Sequence, residues 1–342
     1  MVSLPQARFS NARIANELPA NLVAVFVGGT RGIGETTLKQ LAKQAVKPRI
    51  YFIGRSEASG SRVTADLQAL NPAGEYHFIS ADVSLLRSVD QVCRAIKAKE
   101  RLINLLFMTS GTMTVGKDTD EGLYYPTAVT YYARIRFVVN LLPLLQRATH
   151  LRRVVTVFCG TKEGVIDTTD FQGRHVPMMQ ARGHMASMMT LALESLALEA
   201  PDVSYMHVFP GSVKTDLGKD AKSATVAILR AVFTVIGPLV NIPFDEAGER
   251  QLFLATSARF PARFRQNAVP TAGVPLSHDI TVASGIDACE ASGVYSVNYD
   301  GETAPSKVEE LLQDMRDKDV VRKLWLHTED EFTRVTGTAF TT

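Results

Sequence analysis

Short apolar runs recur along the chain, separated by longer segments in which apolar residues return every three or four positions. Runs of this length, rich in valine and isoleucine, are typical of buried strands in a parallel sheet. The longer segments have the periodicity of amphipathic helices that cover such a sheet. The predicted strands are 22–27, 49–53, 76–79, 102–108, 154–158, 204–209 and 293–297, and the predicted helices are 33–45, 59–70, 85–97, 121–146, 178–199, 246–256 and 305–325.

This alternation predicts an α/β protein with a Rossmann-type, doubly wound parallel sheet in a single domain. Residues 1–20 are expected to form an irregular N-terminal arm, and 21–300 to form the domain itself. The rhythm breaks within 216–245, where we expect an apolar lid over a lipophilic substrate; the alternative is a helix packed on the core or on a partner subunit. Residues 301–342 are expected to form a C-terminal helix and tail.

Composition excludes several classes of protein. Of the 342 residues 46% are hydrophobic and 21% charged, and the net charge of +2 comes without any block of lysine and arginine, which argues against a nucleic-acid partner. The cysteines Cys93, Cys159 and Cys289 are far apart and have no metal-binding spacing. We therefore predict free thiols, a reducing, cytoplasmic setting and no metal.

The sequence shows neither the pattern of a signal peptide nor that of a membrane-spanning helix. The N-terminal stretch lacks the apolar core of a signal peptide. The longest apolar stretch, 224–242, is interrupted by Arg230 and by a Gly-Pro pair. We therefore expect no membrane-spanning helix.

A glycine-rich turn follows the first predicted strand and leads into a predicted helix. Glycine lets the backbone turn tightly and approach a diphosphate, while the helix N-terminus supplies N–H donors and a partial positive charge. Strand, glycines and helix come in the order that a dinucleotide site requires. The predicted cofactor-binding residues of this turn are Gly28, Thr30, Arg31, Gly32, Ile33 and Gly34.

The end of the second predicted strand favours NADP(H) over NAD. NAD-binding proteins of this class usually place an acid there, whereas this chain has Arg55, and its nearest acid, Glu57, lies further on. Arg31 is expected beside the same ribose. Two guanidinium groups suit a 2′-phosphate, which they bind through charge-assisted, bidentate hydrogen bonds. The alternative is that both arginines are ordinary solvated side chains.

Three motifs together resemble those of the short-chain dehydrogenase/reductase family. Residues 28–34, GGTRGIG, are similar to its TGxxxGIG turn, Asp82-Val83 to its adenine-holding pair, and 210–215, PGSVKT, to the PGxVxT motif along the nicotinamide. The resemblance covers about 23–256 and more narrowly extends to such proteins from fungal natural-product gene clusters. It implies an NADP(H) site that also includes Asp82, Val83, Ser110, Gly111, Pro210, Gly211, Val213 and Thr215.

The resemblance also implies how the chain assembles. Members of the family form homodimers or homotetramers through two long helices. The corresponding segments here are 121–146 and 178–199. A homodimer or homotetramer is therefore expected by analogy.

The family's catalytic set is not retained. The family uses an Asn, a Ser and a Tyr-x-x-x-Lys pair, in which the Tyr transfers a proton and the Lys lowers its pKa. No tyrosine occurs in 133–204 and no lysine in 163–213. The best alignment places Thr130 at the Asn, Cys159 at the Ser, Arg182 at the Tyr and Ala186 at the Lys.

Four side chains are candidates for the missing chemistry. Tyr132, on the helix that would face the site, and His184, in the stretch that normally carries the Tyr, could each transfer a proton. Arg182 could polarise a carbonyl or neutralise an enolate, but it cannot act as a base. Cys159 could be a nucleophile if its thiolate were stabilised. The alternatives are aromatic packing, a capping histidine and a buried structural thiol.

Two functions are therefore predicted as alternatives. The first is an NADPH-dependent oxidoreductase that reduces a carbonyl or conjugated double bond of a lipophilic secondary metabolite with a non-standard proton donor. The second is a redox-neutral isomerase, cyclase or dehydratase, or a non-catalytic NADP(H)-binding module, on the same scaffold. The first is favoured because the nicotinamide-side motif survives together with the phosphate-side one.

Overall fold

A computed structural model describes residues 1–213, 241–263, 272–277 and 279–340. Seven parallel strands form one sheet in the order β3-β2-β1-β4-β5-β6-β7. The predicted doubly wound parallel sheet is confirmed. The strands are β1 Val23–Val27, β2 Arg49–Gly54, β3 Glu75–Ser80, β4 Leu105–Met108, β5 Arg153–Val157, β6 Ser204–Phe209 and β7 Val294–Asn298.

Helices cover both faces of this sheet, because side chains alternate along each strand between two apolar clusters. One cluster includes side chains of α5, α7, α8, α10 and α11, and the other includes side chains of α1, α3, α4 and α9. A π-helical turn, Ala128–Tyr132, joins α6 to α7. The described helices are α1 Leu4–Ala12, α2 Ile14–Glu17, α3 Gly32–Gln44, α4 Glu57–Leu70, α5 Leu86–Lys97, α6 Tyr125–Thr127, α7 Ala133–Gln146, α8 Met178–Glu199, α9 Phe244–Thr256, α10 Ser306–Asp317 and α11 Val320–Thr336.

The N-terminal segment is helical, and the predicted irregular arm is wrong for most of 1–20. Ser3 caps α1 through a capping box, in which its hydroxyl accepts from the Gln6 N–H and the Gln6 side chain accepts from the Ser3 N–H. Asn11 donates to the Glu249 carboxylate of α9 at 2.6 Å. The buried face of α1 consists of Ala7, Ser10 and Asn11, so there is no apolar period to detect.

The C-terminal region contains two helices where the pattern predicts one over 305–325. Asp319 has a φ of 59°, in the left-handed region, and it separates α10 from α11. The amphipathic period continues across this break, because both helices pack their apolar faces on the same cluster. The predicted helix 121–146 likewise begins later than expected, at Tyr125.

The C-terminal helix α11 packs against α5, α8 and the π-helical turn. The Tyr131 and Thr328 hydroxyls lie 2.7 Å apart, and the Tyr132 hydroxyl lies 2.6 Å from His327 Nε2. Fully buried Arg136 bonds the Asp90 carboxylate at 2.7 and 2.9 Å, and it also donates to the backbone oxygen of Ala339 at 2.6 Å. The chain's own C-terminal helix therefore covers part of both long helices for which assembly was predicted, and the oligomeric state stays a prediction.

Asp90→Asn is expected to lower the free energy of unfolding by about 3–5 kcal/mol, because it leaves the buried Arg136 cation without its carboxylate. Urea unfolding followed by circular dichroism measures this loss. The matched control is Asp319→Asn, which removes the carboxylate of an exposed pair with Arg322 and should stay close to wild type. Equal losses in the two variants would contradict a structural role for the buried pair.

Candidate functional site

The carboxyl edge of the sheet collects most of the residues predicted for the cofactor. The strand order reverses between β1 and β4, so a ligand crevice opens beyond the ends of these two strands. Thr215 and most of the predicted lid, 216–240, lie outside the described residues. The predicted residues that follow strands at this edge are Gly28, Thr30, Arg31, Gly32, Ile33 and Gly34 after β1, Arg55 after β2, Asp82 and Val83 after β3, Ser110 and Gly111 after β4, and Pro210, Gly211 and Val213 after β6.

The glycine turn is packed so closely that side chains do not fit there. A Cβ on Gly34 would lie 2.3 Å from the carbonyl oxygen of Gly28 and 2.6 Å from Thr109 Oγ1, and Gly28 itself has a φ of 88°. The Thr109 hydroxyl donates to the same carbonyl oxygen at 3.1 Å. Arg31, the N-cap of α3, makes no capping bond with its side chain to the described residues. The first amides of α3 are thus oriented as the diphosphate of a dinucleotide requires.

Two exposed arginines lie at the predicted ribose end of the crevice. Arg31 and Arg55 follow β1 and β2, and neither side chain has a hydrogen-bond or ion-pair partner in the described part of the chain. The carboxylate on the first turn of α3, Glu35, is already bound by Arg62 and Lys39 at 2.7 Å. Burial raises the pKa of Glu35, but these two cations outweigh it and hold the pKa below its usual value. The local charge therefore favours an anion.

A buried cation lies behind the predicted nicotinamide end of the crevice. Arg134, one turn beyond Thr130 of the π-helical turn, donates to the Val157 oxygen at 3.0 Å and to the Ser110 oxygen. Its partners are neutral oxygens, and burial lowers its pKa to about 9, which leaves it charged at neutral pH. π-helical turns are frequent at functional sites. Sequence analysis did not select Arg134, although an arginine inside so apolar a helix is the signal that could have done so.

Cys159 lies just beyond the end of β5, where the alignment places it in the position of the Ser. Its side chain is 7% exposed. Burial raises the pKa of the thiol to about 11, although the charges of Arg182 and Arg134 oppose the rise. The thiol is therefore neutral at physiological pH, which does not support the nucleophile hypothesis. Arg182 itself is exposed on the first turns of α8.

His184 and Tyr132 both make hydrogen bonds that are expected of residues with a structural role. His184 Nδ1 accepts from the Asp167 N–H at 3.1 Å, and Nε2 donates to the Phe171 oxygen at 3.2 Å. Burial lowers the pKa of His184 and raises that of Tyr132 well above its usual value. The Tyr132 hydroxyl is directed at His327 of α11. Proton transfer by either residue stays a hypothesis.

A buried polar network beside Cys159 was not anticipated from the sequence. Glu163 in the loop after β5, Thr190 of α8, His207 of β6 and Ser296 of β7 are connected by hydrogen bonds. All four side chains are buried. The available signal was a histidine in the middle of an apolar strand, since a buried polar side chain requires a partner.

Metal-binding clusters, membrane-spanning helices and free thiols bear on the class of the protein. The described residues contain no group of three or more His, Cys, Asp or Glu side chains that could hold a metal ion. Among the helices of the described ranges, none has the length and apolarity needed to cross a bilayer. Cys93 and Cys159 are buried free thiols and Cys289 is an exposed one.

Comparison with known proteins identifies the family of this chain. The family model for short chain dehydrogenases matches residues 22–169. The chain is 41% identical to the Oxidoreductase AN1596 of Emericella nidulans, over 96% of this chain and 97% of that relative. It is 29% identical to the Short-chain dehydrogenase/reductase SAT2 of Stachybotrys chartarum, over 95% and 96% of the two chains. The chain belongs to the short-chain dehydrogenase/reductase family, and it is an oxidoreductase of that type.

A solved structure shares the fold. The Pseudomonas aeruginosa protein RhlG, described as an NADP active-site complex, aligns with a TM-score of 0.53 at 17% identity, over 78% of this chain and 98% of that one. At this identity the likeness concerns the fold alone. It agrees with the observed sheet order and with a single Rossmann-type sheet.

Cys159 is expected to resist alkylation at neutral pH, because burial keeps its thiol protonated. After treatment with iodoacetamide, peptide mass spectrometry should find exposed Cys289 modified and Cys159 unmodified. Labelling of Cys159 should increase as the pH rises towards about 11, because the thiolate is the reactive form. Rapid labelling of Cys159 at neutral pH would restore the nucleophile hypothesis.

Proposed function

We propose that the protein is an NADPH-dependent reductase of a carbonyl group or conjugated double bond in a lipophilic secondary metabolite. The observation that carries the choice of cofactor is the pair of exposed, unpartnered arginines among the described residues, Arg31 and Arg55, at a site with no carboxylate directly after β2. When bound, the cofactor supplies a hydride. The turn 28–34 binds its diphosphate, and the two arginines bind its 2′-phosphate.

Electrostatics at the nicotinamide end supports reduction without the usual Tyr and Lys. Burial raises the pKa of Cys159 and the Glu163 carboxylate adds to the rise, whereas Arg182, Arg134 and Lys162 each oppose it, so three cations and one anion act on the same region. A reduced carbonyl or an enolate develops negative charge on oxygen, and fixed cations stabilise it. Arg182 is the exposed member nearest the family's Tyr position, and we assign it the substrate oxygen. Because Arg182 stays protonated, the proton comes from water.

The surroundings of Arg182 support a lipophilic substrate. Met178 and Met179, on the first turn of α8, are 52% and 93% exposed. Val165 is 74% exposed and follows Gly164, whose N–H donates to the Gly183 oxygen at 3.0 Å. Exposed apolar side chains beside a polar site are typical of ligand-binding surfaces. The same rim would suit the isomerase, cyclase or dehydratase alternative, which the missing Tyr-x-x-x-Lys pair favours.

Arg55→Ala is expected to weaken NADPH binding by about tenfold to a hundredfold, because a hydrogen bond to a charged group contributes about 1.5–3 kcal/mol. NADH binding should change little, since NADH has no 2′-phosphate. Fluorescence titration of the purified protein with each nucleotide measures both affinities. Arg322→Ala, an exposed arginine of α11, is the control. An unchanged NADPH affinity in Arg55→Ala would overturn the assignment.

The reaction is tested with NADPH and two lipophilic probes, the diketone benzil and the enone benzylideneacetone. We expect loss of nicotinamide absorbance together with a reduced product in mass spectrometry. Arg182→Met should lower kcat by about a hundredfold, because it removes the cation at the developing oxyanion, while Arg182→Lys should keep part of the activity. A new product without NADPH oxidation would establish the redox-neutral alternative. Equal activity of wild type and Arg182→Met would remove Arg182 from the site.

A further inference from the structure

In the buried network beside Cys159, all hydrogen bonds run from donor to acceptor in one direction. Glu163 Oε1 accepts from the Thr190 hydroxyl at 2.8 Å and from the Ser296 hydroxyl at 2.6 Å. Thr190 Oγ1 also lies 2.8 Å from His207 Nδ1. Because the one hydroxyl proton of Thr190 is donated to the carboxylate, the Nδ1–H of His207 must be the donor to Thr190. Every bond in the network therefore leads to the carboxylate of Glu163.

The tautomer of His207 follows from this direction. With its proton on Nδ1, the ring has a free lone pair on Nε2, and Nε2 accepts from the Cys159 N–H at 3.1 Å. Burial lowers the pKa of His207, which keeps the ring neutral. Burial also opposes ionisation of Glu163, but the proximity of His207, whose Nδ1 lies 3.6 Å from Oε1, and the hydroxyl donors Ser296 and Thr190 outweigh it and lower its pKa. A charged carboxylate and a neutral imidazole satisfy the observed contacts.

The network holds the loop that follows β5 at two amides. One is the Cys159 N–H on His207, and the other is the Thr161 N–H, which donates to Ser296 Oγ at 2.6 Å. Thr161 has a φ of 65°, and a Cβ on Gly160 would lie 2.1 Å from the His207 oxygen. A threonine in the left-handed region is strained and persists only where its surroundings impose it. The loop is thus held in a strained conformation by its hydrogen bonds.

The same network connects this loop to the helix that carries Arg182. Thr190 belongs to α8, and Gly183 next to Arg182 accepts from the Gly164 N–H at 3.0 Å. The side chains of Cys159 and Arg182 are close enough for the charge of one to act on the pKa of the other. Glu163 therefore connects the loop after β5 to the middle of α8 through Thr190, while Gly164 contacts the first turns of the helix through Gly183.

We propose that Glu163, acting through Thr190, His207 and Ser296, is a positioning residue that holds the Cys159–Thr161 loop against α8 in the geometry required for substrate reduction. This inference rests on the proposed reductase function. Glu163 itself is fully buried and transfers no proton to the substrate. Its effect is exerted through the backbone of the loop, so a small displacement should lower the rate strongly.

The test uses a matched pair at the central hydroxyl, measured with NADPH and benzil in the full-length protein. Thr190→Val keeps the shape and removes the link between Glu163 and His207, so kcat should fall by about tenfold to a hundredfold with unchanged NADPH affinity. Thr190→Ser retains the hydroxyl and should recover activity to within about threefold of wild type. Equal losses in both variants, or wild-type kcat in Thr190→Val, would overturn the proposal.

Thr328→Val is the control, because it also removes a buried hydroxyl bond, to Tyr131, on the C-terminal helix. It should lower thermal stability and leave kcat unchanged; a matching loss of kcat would mean that the effect of Thr190→Val is general destabilisation. Should Thr190→Val fail to fold, Ser296→Ala breaks the second arm and should give the same separation of kcat from NADPH affinity. A Ser296→Ala variant with wild-type kcat would count against the proposal.

A spectroscopic measurement separates this inference from the proposed function. Nitrogen-15 spectra of the histidine rings should show His207 with a protected Nδ1–H and an unprotonated Nε2 in wild type, and Thr190→Val should lose that protection. This holds whether or not benzil is reduced. An Nε2–H tautomer in wild type would overturn the network. The Nδ1–H tautomer together with no NADPH oxidation would refute the reductase function and the role of Glu163 in substrate reduction, and only the structural role of the network in the loop would remain.

Discussion

The arrangement of the molecule depends on two arginines that α7 buries two residues apart. Arg134 and Arg136 are 1% and 0% exposed, and they point about 160° apart around the helix. Burying a guanidinium is costly unless its donors are satisfied. Arg136 meets the Asp90 carboxylate and the C-terminal carbonyls, while Arg134 meets the oxygens at the ends of β4 and β5. One helix thereby fixes the C-terminal region on one side and the floor of the site on the other.

The two arginines differ in how their positive charge is balanced. Arg136 is neutralised by a carboxylate, so its field outside the pair is small. Arg134 has neutral partners, and its charge acts on Cys159 and His207. In the proposed reductase, this fixed cation supplies part of the positive charge that the Lys of the family provides. The absence of the Tyr-x-x-x-Lys pair is accompanied by cations from other elements, which supports the proposed reduction.

The fold was predictable because its determinants are local. Apolar runs such as Val23–Val27 are typical of a buried parallel sheet, and the glycine turn is contiguous in sequence, so the doubly wound sheet and the predicted cofactor edge followed from short motifs. Helix α1 was not predicted, because its buried face is small and polar. The helix break at Asp319 was not predicted, because the apolar period continues through it. Tyr132 was selected for its position, whereas its partner His327 is separated from it by 195 residues.

The buried network could not be predicted from the sequence, because its members are also far apart along the chain. Glu163, Thr190, His207 and Ser296 come from four elements, and each one alone has an ordinary interpretation. What matters is the direction of their hydrogen bonds. The Glu163 carboxylate accepts from two hydroxyl groups and thereby fixes the tautomer of the imidazole, and the tautomer determines which ring nitrogen can accept a hydrogen bond from a backbone amide. The Cys159 N–H donates to Nε2 of His207, so the loop requires the same tautomer at the other ring nitrogen. The Glu163 carboxylate and the Cys159 amide are therefore compatible with only one tautomer of His207, and a single arrangement of hydrogen bonds connects the loop to α8.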